Sequence, residues 1–151
     1  MKAVVQRSLA ASVTVDGHTA GRISSGLVVF VGVESADTVA DAVACAHKIV
    51  DLRIFADEDG KMNRSIAEVH GAVLVVSQFT LAARVRKGRR PSFVGAARPE
   101  DAEPLIEQFC ATVASRGLVV EQGVFGAHML IELVNDGPVT LLVETKDGSI
   151  I

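Results

Sequence analysis

Apolar residues along this chain fall into two kinds of pattern, continuous runs and three-to-four-residue periods. The continuous runs are Leu27–Val33 (LVVFVGV) and the first half of Gly71–Leu81 (GAVLVVSQFTL). Unbroken β-branched runs of this length are typical of strands buried on both faces. Shorter β-rich segments predict further strands at Lys2–Arg7, Ser12–Asp16 and His18–Ile23, with Asp16-Gly17 as a tight hairpin turn.

The three-to-four-residue period predicts two helices. In the segment from Ser35 to Leu52, Val39, Val43, Ala46 and Val50 share one face, and Asp37 is the expected N-cap. Pro99–Arg116 is the second helix, in which we expect Pro104 to delay the regular turns until after it.

Three more strands are predicted after the second helix, at Leu118–Val124, His128–Val134 and Val139–Thr145. Strands interrupted by two separated helices predict one α+β domain, with a mixed β-sheet that curls toward a barrel. We expect this domain to span residues 1–145 and Lys146–Ile151 to be a loose tail.

Composition narrows the class of protein. The chain has 151 residues, is 49% hydrophobic and contains neither Trp nor Tyr, so its core is aliphatic. It shows no secretory signal and no apolar stretch long enough to span a membrane, which favours a soluble cytoplasmic protein. Cys45 and Cys110 lie in the predicted helices, where small buried thiols in a reducing compartment are expected.

One segment departs from the net charge of −3. Residues 84–98 contain six of the 15 basic residues and no acid, and their glycines and proline indicate a loop. Clustered positive charges repel one another unless an anion comes near, so we expect contact with an RNA backbone rather than a merely solvated loop. The residues predicted to bind tRNA are Arg84, Arg86, Lys87, Arg89 and Arg90.

The candidate chemistry lies where the second apolar run ends, at Ser77, Gln78, Phe79 and Thr80. Strand alternation would place Gln78 and Thr80 on one face and Ser77 and Phe79 on the other. The side chains orient a ligand well but include no base, so a backbone N–H, such as that of Phe79, is the expected oxyanion donor. The alternative is that Ser77, Gln78 and Thr80 only satisfy nearby backbone groups.

No metal or cofactor is expected. The four histidines are scattered without the spacing of zinc ligands. The acidic turn Asp57–Gly60 matches only a fragment of a calcium-binding loop and is interpreted as a solvated turn.

Two signatures together resemble the D-aminoacyl-tRNA deacylases (D-tyrosyl-tRNA deacylases). They are Ser77-Gln78-Phe79-Thr80-Leu81 and Asn135-Asp136-Gly137-Pro138-Val139-Thr140. The resemblance also covers MKAVVQR, ASVTVDG, LRIFADEDGKMNRS, RKGRRPSF and GVFGAHM, and only the tail after about Thr145 lies outside it.

The resemblance implies a homodimeric enzyme that hydrolyses the ester between a D-amino acid and tRNA, with mischarged glycyl-tRNA as a possible second substrate. Ser77, Gln78, Phe79 and Thr80 would line the pocket for the aminoacyl-adenosine end, with Met129 nearby. Gly137 and Pro138, joined by a cis bond, would reach into the partner subunit's site and refuse an L side chain. The ribose 2′-OH of the substrate would assist, and the older alternative makes Thr80 a covalent nucleophile.

Three rival interpretations remain open on sequence. The chain could be a non-catalytic RNA-binding module that uses residues 84–98, a small-molecule hydrolase with Ser77 or Thr80 as nucleophile, or a purely structural dimer. Each predicts a different pattern of tRNA binding and ester turnover.

Overall fold

A computed structural model of the chain describes residues 1–86 and 88–151, which form a mixed sheet curled into a half-barrel against two helices. The elements are β1 (Lys2–Val15), β2 (His18–Ile23), β3 (Gly26–Gly32), α1 (Val39–Asp51), β4 (Phe55–Ala56), β5 (Met62–Arg64), β6 (Ala72–Ser77), a short 3₁₀ helix (Phe79–Ala82), α2 (Pro99–Ser115), β7 (Val120–Gln122), β8 (Leu130–Lys146) and β9 (Ser149–Ile150). Along the sheet the strands follow the order β7-β6-β3-β1-β8-β9, and β2 pairs with β1. The pairs β3–β6 and β6–β7 are parallel and the others in this sheet are antiparallel.

The central strands are buried on both faces, as their continuous apolar runs predict. On β6, Val73 and Val75 join the main core beneath the helices, while Leu74 and Val76 join a smaller core on the opposite face of the sheet. The second core exists because the sheet curls, so that β2 folds back over the face that the helices do not cover. This double burial makes β6 a firm support for whatever follows it.

Two strands are longer than the sequence predicts. The segments expected as Lys2–Arg7 and Ser12–Asp16 form the single strand β1, which carries Gln6, Arg7 and Ser8 through the sheet. Likewise, the two strands expected after residue 127 are one assigned strand, β8. Polar residues within β1 interrupt the apolar pattern of the sequence, which is why two strands were predicted. They do not interrupt the strand itself, because its pairing with β3 continues through them.

The antiparallel ladder between β1 and β8 contains one large irregularity. Gln6 pairs with Thr140 and Ser8 pairs with Asn135, so residues 136–139 lie opposite Arg7 alone. This bulge, which we call the Asn135–Val139 bulge, lies where the predicted strands His128–Val134 and Val139–Thr145 were expected to be separated. It lies inside the ladder because β1 runs past it without a break.

Helix α2 begins at Pro99 as predicted, but the N-cap of α1 and the effect of Pro104 in α2 differ from the prediction. Thr38, not Asp37, is the N-cap of α1; the Asp37 carboxylate instead binds the N-terminal ammonium and accepts the Glu34 N–H. Helix α2 begins at Pro99 and runs through Pro104, because losing one hydrogen bond in the early turns is offset by burial of residues such as Ala102 and Ile106. In the described parts of the chain, no helix combines the length and apolarity that crossing a membrane requires.

The end of the chain is not loose. Thr145 and Lys146 pair with Ile150 and Ser149, and Gly148 N–H donates to Asp41 Oδ1 at 2.9 Å. Burial alone would raise the pKa of Asp41, but hydrogen bonds from Gly148 and Thr38 and the nearby N-terminal ammonium together lower it. This hairpin therefore ties the last residues to the start of α1. The domain boundary near residue 145 stays a prediction.

Candidate active site

A cavity of about 550 Å³ opens between the sheet and the start of α2. Its wall is mostly aliphatic, with polar side chains only where β6 ends. The residues that line it are Val31, Val33, Ser77, Gln78, Phe79, Ala97, Pro99, Ala102, Ile106, Phe125, Gly126, Ala127, Met129 and Ile131. Within the described residues, this lining includes no titratable side chain, so the cavity has no protein acid or base of its own.

The polar edge of the cavity forms where the chain leaves β6. Gln78 has φ −144° and ψ 78°, and the 3₁₀ helix begins at the next residue. Strand alternation therefore ends at Ser77, and Ser77, Gln78 and Phe79 all line the same cavity. The expectation that Ser77 and Phe79 face away from Gln78 is wrong for this reason.

Gln78 and Thr80 contact each other, although the strand alternation that was expected to place them on one face ends at Ser77. Gln78 Nε2 donates to Thr80 Oγ1 at 2.5 Å, although Thr80 itself does not line the cavity in the described structure. This bond fixes the carboxamide relative to the hydroxyl. No base of the described chain hydrogen-bonds to the Thr80 hydroxyl, which is what an activated nucleophile would need.

Gly32 of β3 allows the 3₁₀ helix to approach the sheet closely. A Cβ at this position would lie 2.8 Å from Gln78 O and 2.8 Å from Leu81 Cβ. The Gln78 N–H in turn donates to Val31 O at 2.8 Å, which anchors the exit from β6. The polar edge is thus held by backbone contacts on its inner side.

Two backbone donors at this edge are unused. In a 3₁₀ helix the first N–H groups have no partner within the helix. The first hydrogen bond here is from Leu81 N to Gln78 O at 3.1 Å, and no acceptor within residues 1–86 and 88–151 takes the Phe79 or Thr80 N–H. These amides are available to an oxyanion beside the cavity.

Met129 lies in the cavity wall, as the resemblance implies, together with Phe125, Gly126 and Ala127. Gly123 makes room for it, since a Cβ there would lie 2.6 Å from Met129 Sδ. Of the segment GVFGAHM, only Met129 was predicted to lie near the site. Phe125, Gly126 and Ala127 belong to the same segment, so its resemblance to the family was the signal that could have identified them.

Gly137 and Pro138 do not line this cavity in the described chain. They lie at the exposed tip of the Asn135–Val139 bulge, and the peptide bond between them is cis. Asn135 Nδ2 donates to Arg7 O and Val139 O, both at 3.0 Å, and so closes the base of the bulge.

Arg7 is a residue that sequence reasoning missed. Its Nε lies 2.8 Å from Asp136 Oδ2, its guanidinium donates to the Ile54 carbonyl at 2.5 Å, and its side chain is mostly buried. The Nε–carboxylate contact lacks hydrogen-bond geometry, so it is mainly a charge–charge attraction. Arg7 reads as an ordinary polar strand residue in sequence, because the ladder that brings it to the bulge is formed across more than 120 residues.

The predicted tRNA-binding residues lie on one exposed loop, apart from Lys87, which is outside the described residues. Arg84 and Ser92 exchange backbone hydrogen bonds of 2.8 and 3.0 Å, which pinch the loop at its base. Arg98 pairs with Glu100 and Asp101, whereas Arg84, Arg86, Arg89 and Arg90 have no salt bridge among the residues described. These four guanidinium groups are therefore presented to solvent.

Both cysteines are buried in the main core, as predicted. Burial raises the pKa of each thiol to about 12, so neither is a thiolate near neutral pH. A catalytic thiol does not fit this site.

Comparisons with known proteins agree with this geometry. A family model described as D-Tyr-tRNA(Tyr) deacylase matches residues 4–144. D-aminoacyl-tRNA deacylase of Thermus aquaticus is 54% identical, covering 97% of both chains, and that of Halalkalibacterium halodurans is 56% identical, covering 97% of this chain and all of the relative.

Two solved structures share the fold. One, titled c-Myc DNA Unwinding Element Binding Protein, superposes with a TM-score of 0.91 at 40% identity, covering 97% of this chain and 99% of that one. A probable eukaryotic D-amino acid tRNA deacylase superposes with a TM-score of 0.79 at 19% identity, covering 93% and 97%, which shows the fold alone.

The fold, the site and these similarities make the protein a hydrolase that acts on ester bonds. More narrowly, the chain belongs to the D-Tyr-tRNA(Tyr) deacylase family, which confirms the resemblance found in its sequence.

Proposed function

We propose that this protein hydrolyses the ester bond of D-aminoacyl-tRNA in the cytoplasm, releasing free D-amino acid and tRNA, and so removes D-amino acids from translation. The observation that carries the proposal is the edge of the cavity at Ser77–Thr80, which offers oriented polar groups and free amides in a chain of this family. An aminoacyl ester needs little more than orientation and charge stabilisation, because it is already activated.

Proton transfer is assigned to the substrate rather than to the protein. The cavity lining contains no titratable group among the described residues, and the ribose 2′-OH lies next to the ester. In this mechanism the cavity holds the terminal adenosine, Gln78 and Thr80 orient the ester, and the Phe79 N–H donates to the developing oxyanion. Thr80 then acts as a positioning residue and not as a nucleophile.

Chiral selection is assigned to a second copy of the chain. Gly137 and Pro138 are exposed and lie outside their own cavity, so they can serve a cavity only across a subunit interface. Exposed apolar side chains on β1 and β8, namely Leu9, Leu130 and Val134, offer a surface for such a homodimer. In the partner's site, Gly137 and Pro138 would hold the amino group through their carbonyls and exclude an L side chain. Glycine has no side chain to exclude, so glycyl-tRNA would be a second substrate.

The four exposed arginines at 84–90 are assigned to the tRNA backbone, together with Lys87. Their charge is not neutralised by acids within the described structure, which favours an anionic partner. Changing Arg89 and Arg90 together to Ala should raise KM and flatten its dependence on salt, with kcat nearly unchanged.

The first test is release of labelled amino acid from matched D-tyrosyl-tRNA and L-tyrosyl-tRNA by the purified protein, with and without a chelator. Release from the D form alone, unaffected by the chelator, is the expected result. Release from neither form would refute the proposal and would leave an RNA-binding module as the better interpretation.

A further inference from the structure

Two phenylalanines are exposed side by side at the rim of the cavity. The rings of Phe79 and Phe93 meet edge to face, with centroids 5.1 Å apart and planes at 64°. Phe79 exposes 58% of its surface and Phe93 37%, in a chain whose other large apolar residues mostly fill two cores. An edge-to-face pair places the edge of one ring on a face of the other, so the pair leaves at least one face of each ring uncovered.

The pair connects the cavity to the arginine loop. Phe79 belongs to the cavity lining, whereas Phe93 lies one residue beyond the Arg84–Ser92 bridge at the base of the arginine loop. Moving outward from the cavity, a ligand therefore meets aromatic surface first and guanidinium groups next. That order matches the chemistry of a single nucleic-acid strand, in which a base is followed by a phosphate.

We propose that Phe93, braced by Phe79, is a stacking platform for the unpaired nucleotide that precedes the terminal adenosine of the tRNA. The proposal rests on the proposed function, which places the terminal aminoacyl-adenosine in the cavity. The base of the preceding nucleotide stacks on Phe93, and the arginines at 84, 86, 89 and 90 contact the phosphates of the strand. Stacking on a phenyl ring needs no hydrogen-bond partner, so the platform accepts any base.

The positive charge of the arginine loop favours a nucleic acid, rather than a second copy of the chain, as the partner that covers Phe93. Residues 84–98 contain no acid, and another copy would bring the same cluster of arginines toward this face. An RNA strand brings a phosphate at every nucleotide together with the π-face of its base. Val94, which exposes 86% of its surface next to Phe93, extends the apolar area that a base would cover.

The test compares two small substrates that differ by one nucleotide, D-tyrosyl-adenosine and D-tyrosyl-cytidylyl-adenosine, with wild type and Phe93→Leu. The ratio of kcat/KM for the dinucleotide to kcat/KM for the adenosine ester should fall by about fivefold or more in Phe93→Leu, which is the low end of a base–aromatic stack. Phe93→Tyr should restore the ratio because it keeps the ring. Val119→Ala, an exposed substitution outside this rim, is the matched control.

Each outcome decides the matter. A ratio unchanged in Phe93→Leu would overturn the platform. An equal loss on both substrates would also overturn it, because Phe93 would then act only by positioning Phe79; if dimer dissociation rises as well, the rim is covered by a second copy. If the wild-type protein hydrolyses neither of the two esters and no charged tRNA, the proposed function itself is refuted. The stacking platform, which rests on that function, is then refuted as well.

Discussion

The edge of the cavity at Ser77–Thr80 and the Asn135–Val139 bulge are both polar interruptions of one sheet, yet they relate to the chain in opposite ways. The first follows a strand buried on both faces and lines a cavity of its own chain. The second projects opposite Arg7 and lies outside that cavity in the described residues. Under the proposed function the two regions have separate tasks, since the cavity edge would perform the chemistry and the bulge would select the substrate for a second copy of the chain.

The largest effect should come from removing the 2′-OH of the substrate, because the proposed mechanism assigns proton transfer to this group and not to the cavity edge. A D-aminoacyl-tRNA that ends in 2′-deoxyadenosine, with the ester on the 3′-oxygen, should be hydrolysed about 10²- to 10⁴-fold more slowly, as expected for loss of general acid–base assistance. Single-turnover release of labelled amino acid measures this. The same tRNA with the deoxy sugar one nucleotide earlier is the control.

Thr80→Ala separates this mechanism from the nucleophilic one on the protein side. Loss of the Gln78–Thr80 hydrogen bond should lower kcat by about tenfold, equivalent to ~1.4 kcal/mol. If Thr80→Ala instead removes nearly all activity while the deoxy substrate is turned over normally, Thr80 is the nucleophile and the 2′-OH plays no part.

A change confined to the bulge should alter selection and spare chemistry. In Pro138→Ala, hydrolysis of L-tyrosyl-tRNA should rise by at least about tenfold, because a steric exclusion worth ~1.4 kcal/mol or more is lost. The rate on the D substrate should stay within about threefold. Continued full rejection of L-tyrosyl-tRNA would show that the bulge is not the chiral filter; Met62→Ala, exposed and in neither region, serves as control.

Arg7→Ala should give a smaller change in the same direction, since Arg7 supports the bulge without forming its tip. The contact with Asp136 and the bond to the Ile54 carbonyl would both be lost. We expect the ratio of D to L hydrolysis to fall by about threefold to tenfold, and Arg7→Lys to recover part of it by restoring the charge. If the Arg7→Ala variant has a normal melting temperature and the same ratio of D to L hydrolysis as wild type, Arg7 does not contribute to selectivity.

The smallest effect on the comparison should come from Asp41→Asn, which perturbs the scaffold alone. Asp41 has a lowered pKa in the folded state, so its stabilising contribution is present above the unfolded pKa of about 3.9 and is lost as pH falls through the lower folded value. At pH 7 the variant should lose about 1–3 kcal/mol of unfolding free energy, and the gap to wild type should narrow below about pH 4. Denaturant unfolding measures this. The D-to-L ratio should stay within about twofold, and a larger change would mean that selectivity depends on general stability.

Local patterns predicted most of what the cavity edge needs. The run before Ser77 identified β6 and its double burial, and the residues after it identified the polar edge, because both depend on side chains adjacent in the chain. The hydrogen bond between Gln78 and Thr80 and the side-chain directions of Ser77 and Phe79 were not predicted, since a 3₁₀ turn replaces the expected strand there.

Features formed by distant pairing were missed. The continuity of β1, the enclosure of the bulge within the ladder, the role of Arg7 and the attachment of the C-terminal hairpin to α1 all depend on partners far along the chain. Residues 146–151 look loose in sequence partly because the hydrogen bond that attaches them to α1 is accepted by a carboxylate at position 41. A local sequence pattern does not predict a hydrogen bond to a residue so distant in the chain.

The register of the β1–β8 ladder on either side of the bulge has an evolutionary consequence. The register of Lys2–Gln6 with β8 is fixed independently of the register of Ala10–Thr14 with β8. Residues can therefore be inserted into or deleted from the segment 136–139 without turning any core side chain outward. Elsewhere in the ladder a single inserted residue would invert a face of the strand. The bulge is therefore a place where the chain can change its specificity by insertion or deletion while its fold is inherited intact.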